Sequence, residues 1–257
     1  MRLSTTVLLA AALALPTGCK DRAQVQKEQE ALNEIEASGQ ELRESLKKGL
    51  SEDGLEVDHA VLEKQQQAIE AASRKMGGKK GEALKVLAGI QAESNAISKE
   101  IERETEQFLT VLDWSGLQAE GNYDERRKRS RDFAAFNQGV IEFFGSRPQE
   151  LKKRFDEIDF KGRDRDDIEK GFNGQFVKMN SMIRQIRQCD ITCSEIAVRM
   201  VDILEQNKGK WSWNAEAGHL EFNEDSAKDA FNKEFLELQK IGSRQIELQT
   251  QIVNELQ

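Results

Sequence analysis

The chain has 257 residues, 33% of them charged and 6% aromatic, with two prolines, three cysteines and a formal charge of -8. Scarce proline and abundant charge suit long solvated helices, because proline breaks a helix interior and charge keeps the outer face in water. The same balance argues against a sandwich, barrel or α/β enzyme, whose Val-, Ile- and Thr-rich runs between turns are missing, and against nucleic acid, which needs a basic face.

Arg2 precedes nine unbroken apolar residues, Val7 to Leu15, and small residues follow. That is the layout of a secretory signal peptide, far short of the ~20 residues a membrane-spanning helix needs. Leu15-Pro16-Thr17-Gly18-Cys19 resembles the lipobox of bacterial lipoproteins, with Pro16 where that family usually has leucine. The resemblance implies removal of residues 1–18, a lipid on the Cys19 sulfur and a membrane-anchored protein facing the periplasm. Cleavage after Ala12-Leu13-Ala14 is the competing reading. Lys20, rather than aspartate, follows the cysteine, which by the family's sorting habit favours the outer membrane. Losing Arg2 leaves the mature chain one charge more acidic.

Beyond Arg22 the pattern is helical and divides into an N-terminal helical or coiled-coil region, 19–113, and a C-terminal region, 125–257. Val25, Leu32, Ile35, Leu42 and Leu46 mark a first helix, with Gly39 and Gly49 in its seam. Ser51 to Gly54 is a break, Val57 to Met76 a second amphipathic stretch, and Gly77 to Gly81 a turn. Leu87, Ile90, Ser94, Ile97, Ile101, Glu104, Phe108 and Val111 alternate spacings of three and four, which is a bundle or coiled-coil seam. Trp114 to Asp124 reads as a loop. A fourth helix is expected to end at Gly145 and a fifth to start at Ser146-Arg147-Pro148-Gln149, with serine as N-cap and proline in the first turn. Arg163 to Asp167 reads as a charged joint, followed by a long sixth helix to about Gln206. Trp211, Trp213, Leu220 and Phe222 alternate with polar residues, so a hairpin over 210–223 presents one greasy face that must dock on helices or on a partner. Asn223-Glu224-Asp225 caps a closing helix. The fold class is therefore all-α: an elongated bundle with one small hairpin.

This order resembles uncharacterised bacterial lipoproteins, a domain family of unknown function. The shared layout is a lipobox, several helices, a hairpin of the form W-S-W…G-H-L-E-F and a closing amphipathic helix. The resemblance implies an envelope location and no particular reaction.

Cys189 and Cys193 stand at i and i+4, about 6 Å apart on one helix face, near the upper end of disulfide separations. A structural or redox-active disulfide is one reading, and two small apolar residues on a buried face is the other. Both histidines, His59 and His219, follow a glutamate by three, as in di-iron bundles, but the second lies in the hairpin. No nucleophile elbow, phosphate loop or dinucleotide fingerprint occurs. No catalytic residues, metal or cofactor are expected. Arg126, Arg127, Lys128, Arg129 and Arg131 place five basic residues in six inside an acidic chain. They are candidates for contact with anionic lipid or lipopolysaccharide, or else a solvated face balanced by Asp124, Glu125 and Asp132. The expected function is non-covalent, a scaffold or binding role toward an envelope protein or anionic lipid, with oligomers admissible. The alternative is a membrane-active helical protein that uses the 210–223 hairpin to insert or dock.

Overall fold

The computed structural model describes residues 22–51 and 54–255. The signal segment and Cys19 lie outside them. The described residues form seven α-helices and two small antiparallel hairpins: α1 (Arg22–Gly49), β1 (Leu50–Ser51), β2 (Gly54–Leu55), α2 (His59–Met76), α3 (Gly78–Leu109), α4 (Trp114–Glu120), α5 (Tyr123–Glu157), α6 (Arg163–Gln206), β3 (Trp211–Asn214), β4 (His219–Phe222) and α7 (Asp225–Glu255). This is the expected all-α bundle. Neighbours in sequence pack as neighbours in space, in the order α1, α2, α3, α5, α6, α7. The C-terminal half of α7 then returns to β2, where Gln249 Oε1 accepts from the Leu55 amide at 3.0 Å.

Helix α1 buries one stripe, through Ala31, Leu42 and Leu46, at the three- and four-residue spacing of a single face. It ends where the chain must fold back tightly. Gly49 accepts from the Glu56 amide at 2.9 Å, and a Cβ at position 49 would stand 2.0 Å from the Glu56 carbonyl oxygen. Glycine is the residue that permits this approach. Asp58 caps α2 by accepting from the Ala60 amide. At the other end of α2, Gly77 (φ 61°) turns the chain into α3, and a Cβ on Gly81 would meet the Ser73 carbonyl at 2.4 Å.

Five sequence expectations change. The break at 51–54 carries a second hairpin, β1–β2. Helix α3 begins at Gly78, so residues 78–81 form its first turn. The 114–124 loop contains α4, capped by Asp113 and closed by Gly121 in the left-handed region. The expected fourth and fifth helices are one, α5, with Pro148 inside it. Pro148 has no N–H to offer the Phe144 carbonyl, a defect that costs about 3 kcal/mol in a helix interior. The burial stripe nevertheless runs straight through, with Phe144, Leu151 and Phe155 all in the core. Glu93 of α3 grips both sides of the proline, meeting Arg147 at 2.5 Å and Arg154 at 2.7 Å. The supposed joint at 163–167 is likewise the first turn of α6, and the connection is 158–162, where Asp159 (φ 51°) and Gly162 (φ 86°) make the bend.

Two hydrophobic clusters fill the bundle, and they do not divide at 113–125. The larger takes residues from α1, α2, the first part of α3, the second half of α5, the first half of α6 and the end of α7. The smaller gathers Phe108, Val111, Trp114, Leu117, Tyr123, Phe133, the end of α6, Trp211 and the first half of α7. Helices α5 and α6 thread both.

Candidate functional site

The basic run is the first candidate, and the fold absorbs its first two residues. Arg126 is 7% exposed. Its Nη1 donates to the carbonyls of Thr110 (2.9 Å), Val111 (2.9 Å) and Asp113 (2.6 Å), and its Nε donates to Asn122 Oδ1 at 2.9 Å. These carbonyls lie where the chain passes from α3 to α4. Those of Thr110 and Asp113 also accept backbone amides, while a helix exit leaves acceptors such as Val111 without one and carries partial negative charge. Arg126 satisfies them. Burial pulls its guanidinium down from its usual value, against the attraction of Asp113, Glu120 and Glu125. Arg127 is held by Glu205 (2.5 Å), Asp124 (2.6 Å) and Asp202 (3.0 Å), tying the start of α5 to the end of α6. The hydrogen bonds it donates to Glu205 and Asp124 raise its pKa further. Arg126 and Arg127 are therefore structural, which corrects the reading of the whole run as an anionic-surface contact. Lys128 pairs with Asp132, Arg129 donates to Gln107, and Arg131 faces solvent.

The hairpin docks on its own helices. Trp211 pairs with Phe222 and Trp213 with Leu220 across the two strands. Trp211 is buried, its Nε1 donating to the Leu204 carbonyl at 2.8 Å, while Trp213, Leu220 and Phe222 lie half-buried against the smaller cluster. Phe222 meets Phe231 at 5.5 Å between ring centroids, and Trp114 meets Phe231 edge-on at 5.6 Å. The greasy face is thus occupied by α4, α6 and α7. Trp213, Leu220 and Phe222 keep part of their surface exposed.

Cys189 and Cys193 are free thiols on the buried face of α6, the second of the two readings that the sequence left open. Burial pushes both thiols up, Cys193 far more strongly. Beside them is a cluster that the apolar stripe of α6 conceals in the sequence. Arg187 and Asp190 are both 0% exposed and face each other at 3.0 Å. Asn137 Oδ1 of α5 accepts from Arg187 Nη1 at 3.1 Å, and Gln245 Nε2 of α7 donates to Asp190 Oδ1 at 2.8 Å. Burial raises the Asp190 carboxyl above its usual range despite the neighbouring guanidinium. An i, i+3 Arg–Asp pair is the one sequence signal for it, and such pairs are common on exposed helices.

The two histidines do not converge. His59 meets Glu102 of α3 at 2.6 Å, and His219 lies exposed on the hairpin, 3.9 Å from Glu221. Among the described residues no group of three or more His, Cys, Asp or Glu side chains is arranged to hold a metal.

Open grooves among the described residues include the following three. One, of about 710 Å³, runs beside His59 and carries Glu41, Glu44, Glu56 and Lys48. A second, of about 220 Å³, lies beside Arg126 and Arg129. The third, of about 680 Å³, lies where the start of α1 meets the α2–α3 turn and the α5–α6 connection. No helix of the described residues is long and apolar enough to cross a membrane. Compared with protein-family models, curated proteins and solved structures, the chain matches none.

Proposed function

We propose that this chain is a lipid-anchored protein of the bacterial envelope, facing the periplasm and acting through non-covalent contact rather than catalysis. The observation that carries the reading is Gly18-Cys19 at the close of the Val7–Leu15 apolar run behind Arg2. Acyl chains on Cys19 would hold the protein on a bilayer at about 0.8 kcal/mol per buried methylene. Lys20 favours the outer membrane. The described residues fit a scaffold or binding role: their charged side chains pair with one another across helices, and the hairpin closes one end of the bundle. A partner is then an envelope protein or an anionic envelope surface, met through helix faces and helix-end grooves.

Mass spectrometry of the mature N-terminus from the native host tests the reading. Acylated Cys19 is the expected result. A free Leu15 would remove the anchor and overturn the proposal.

A further inference from the structure

Helix α1 begins at Arg22, three residues after Cys19. An extended chain covers at most ~3.6 Å per residue, so an anchor on Cys19 holds the first residue of α1 within about 11 Å of the acylated cysteine. That tether is too short to let the bundle tumble freely above a membrane. The elements surrounding the start of α1 are fixed by direct contacts. Gln24 Nε2 donates to the Met76 carbonyl at 3.3 Å, which sets α1 against the α2–α3 turn. Lys79 Nζ donates to the Ile158 carbonyl at 2.6 Å and Lys80 meets Asp164 at 3.0 Å, which sets that turn against the α5–α6 connection. All three elements line the 680 Å³ groove.

Resting on the lipid-anchor reading above, we infer that this end of the bundle is a membrane-resting surface, and that the protein stands upright with the α2–α3 turn and the α5–α6 connection at headgroup level. The surface carries charge without a dominant sign. Lys79 pairs with Glu82 (2.9 Å), Lys80 with Asp164 (3.0 Å) and Lys161 with Asp159 (2.5 Å). Such paired charges match zwitterionic headgroups, each of which also presents both signs, and the acyl chains supply the holding energy. Helix α6 leaves this surface at Arg163 and, over 44 residues, carries the β3–β4 hairpin about 66 Å away. Helix α5 places Arg131 roughly 40 Å from its own end at Glu157, some five Debye lengths of about 8 Å. The basic run therefore faces away from the anchoring membrane and does not sense its charge.

The test uses the full lipidated protein in phosphatidylcholine vesicles doped with a headgroup-quencher lipid. A fluorophore is placed in turn on Lys79→Cys, Lys161→Cys and Glu216→Cys, the last in the hairpin turn. Emission at 79 and 161 is expected to be quenched, while emission at 216 keeps its value in quencher-free vesicles. Adding phosphatidylglycerol is expected to leave that pattern unchanged. Equal quenching at all three positions, quenching confined to 216, or a pattern that appears with anionic lipid alone would overturn the orientation. Cys19→Ser keeps the two readings apart. Its release from vesicles supports the anchor, so that a wrong quenching pattern then counts against the orientation alone. Its retention on vesicles overturns the anchor and the orientation together.

Discussion

The two hydrophobic clusters differ in how they treat polar groups. In the smaller one, at the hairpin end, aromatic rings stack and buried donors find acceptors. Phe108 lies on Phe133 at 4.5 Å, Trp211 Nε1 has the Leu204 carbonyl, and Arg126 has four acceptors. The larger cluster also pairs aromatic rings, with Phe172 on Phe176 at 5.1 Å, but it is flanked by buried amides. Gln65 Oε1, Gln91 Oε1, Gln245 Oε1 and Gln249 Nε2 have no hydrogen-bond partner among the described residues. A buried polar group without a partner costs on the order of 1–3 kcal/mol. The hairpin end is thus the better satisfied core. Beside the larger cluster Gln91, Gln245 and Gln249 each keep one hydrogen bond through their other amide atom, which leaves Gln65 as the amide that an apolar side chain replaces with the least loss.

The largest expected effect lies at the boundary between the two. Arg187→Met leaves the Asp190 carboxylate buried without its cation, and should cost about 4 kcal/mol in urea unfolding followed by circular dichroism. Arg187→Met combined with Asp190→Leu should recover most of that loss. A single variant as stable as wild type would show that the pair bears no charge in the fold. Next comes Arg126→Met, which removes a donor shared by three carbonyls and Asn122, leaves the Val111 carbonyl without its partner and should cost about 3 kcal/mol. Were it neutral, the hairpin end would not be the satisfied core described here. Gln65→Leu probes the other side of the contrast, and is expected to gain up to about 1 kcal/mol, because it removes an unpartnered amide. A loss of several kcal/mol there would erase the difference between the two regions.

The smallest effect is one of rate. Cys189 belongs to the larger cluster and Cys193 to the smaller, at 9% and 1% exposure. Thiolate fraction and access control alkylation, and burial pushes Cys193 up the more strongly of the two. Iodoacetamide at mildly alkaline pH should therefore label Cys189 first, roughly tenfold faster, with both sites reacting together once urea unfolds the chain. Equal native rates would mean that both sites open together.

Helical periodicity made most of the bundle legible. The α3 seam from Leu87 to Val111 lies inside or at the margin of the core, and the hairpin places its four apolar residues on one face as alternation requires. What failed to read were places where a distant group completes a local one. Ser146-Arg147-Pro148 has the local grammar of a helix start, yet the burial stripe on either side and Glu93 from α3 carry the helix through. Arg126 looks like surface charge because the chain shows its neighbours in the run and not the α3 carbonyls folded back onto it. Arg187 hides between Ile183, Ile186 and Cys193, and its partners come from α5 and α7, at sequence separations of 50 for Asn137 and 55 from Asp190 to Gln245. The pattern behind the proposed anchor, by contrast, lies wholly within residues 2–19 and draws on no tertiary contact.

The grip of Glu93 on Arg147 and Arg154 has a mechanical consequence. A rod bends most easily where its internal bracing is missing, and in α5 that place is the Phe144 carbonyl opposite Pro148. The carboxylate of the adjoining helix acts there as a splint, so the stiffness of α5 at its midpoint is borrowed from α3. A sideways load carried along α5 meets its weakest backbone at that turn, and the contacts of Glu93 with Arg147 and Arg154 are what oppose a bend there.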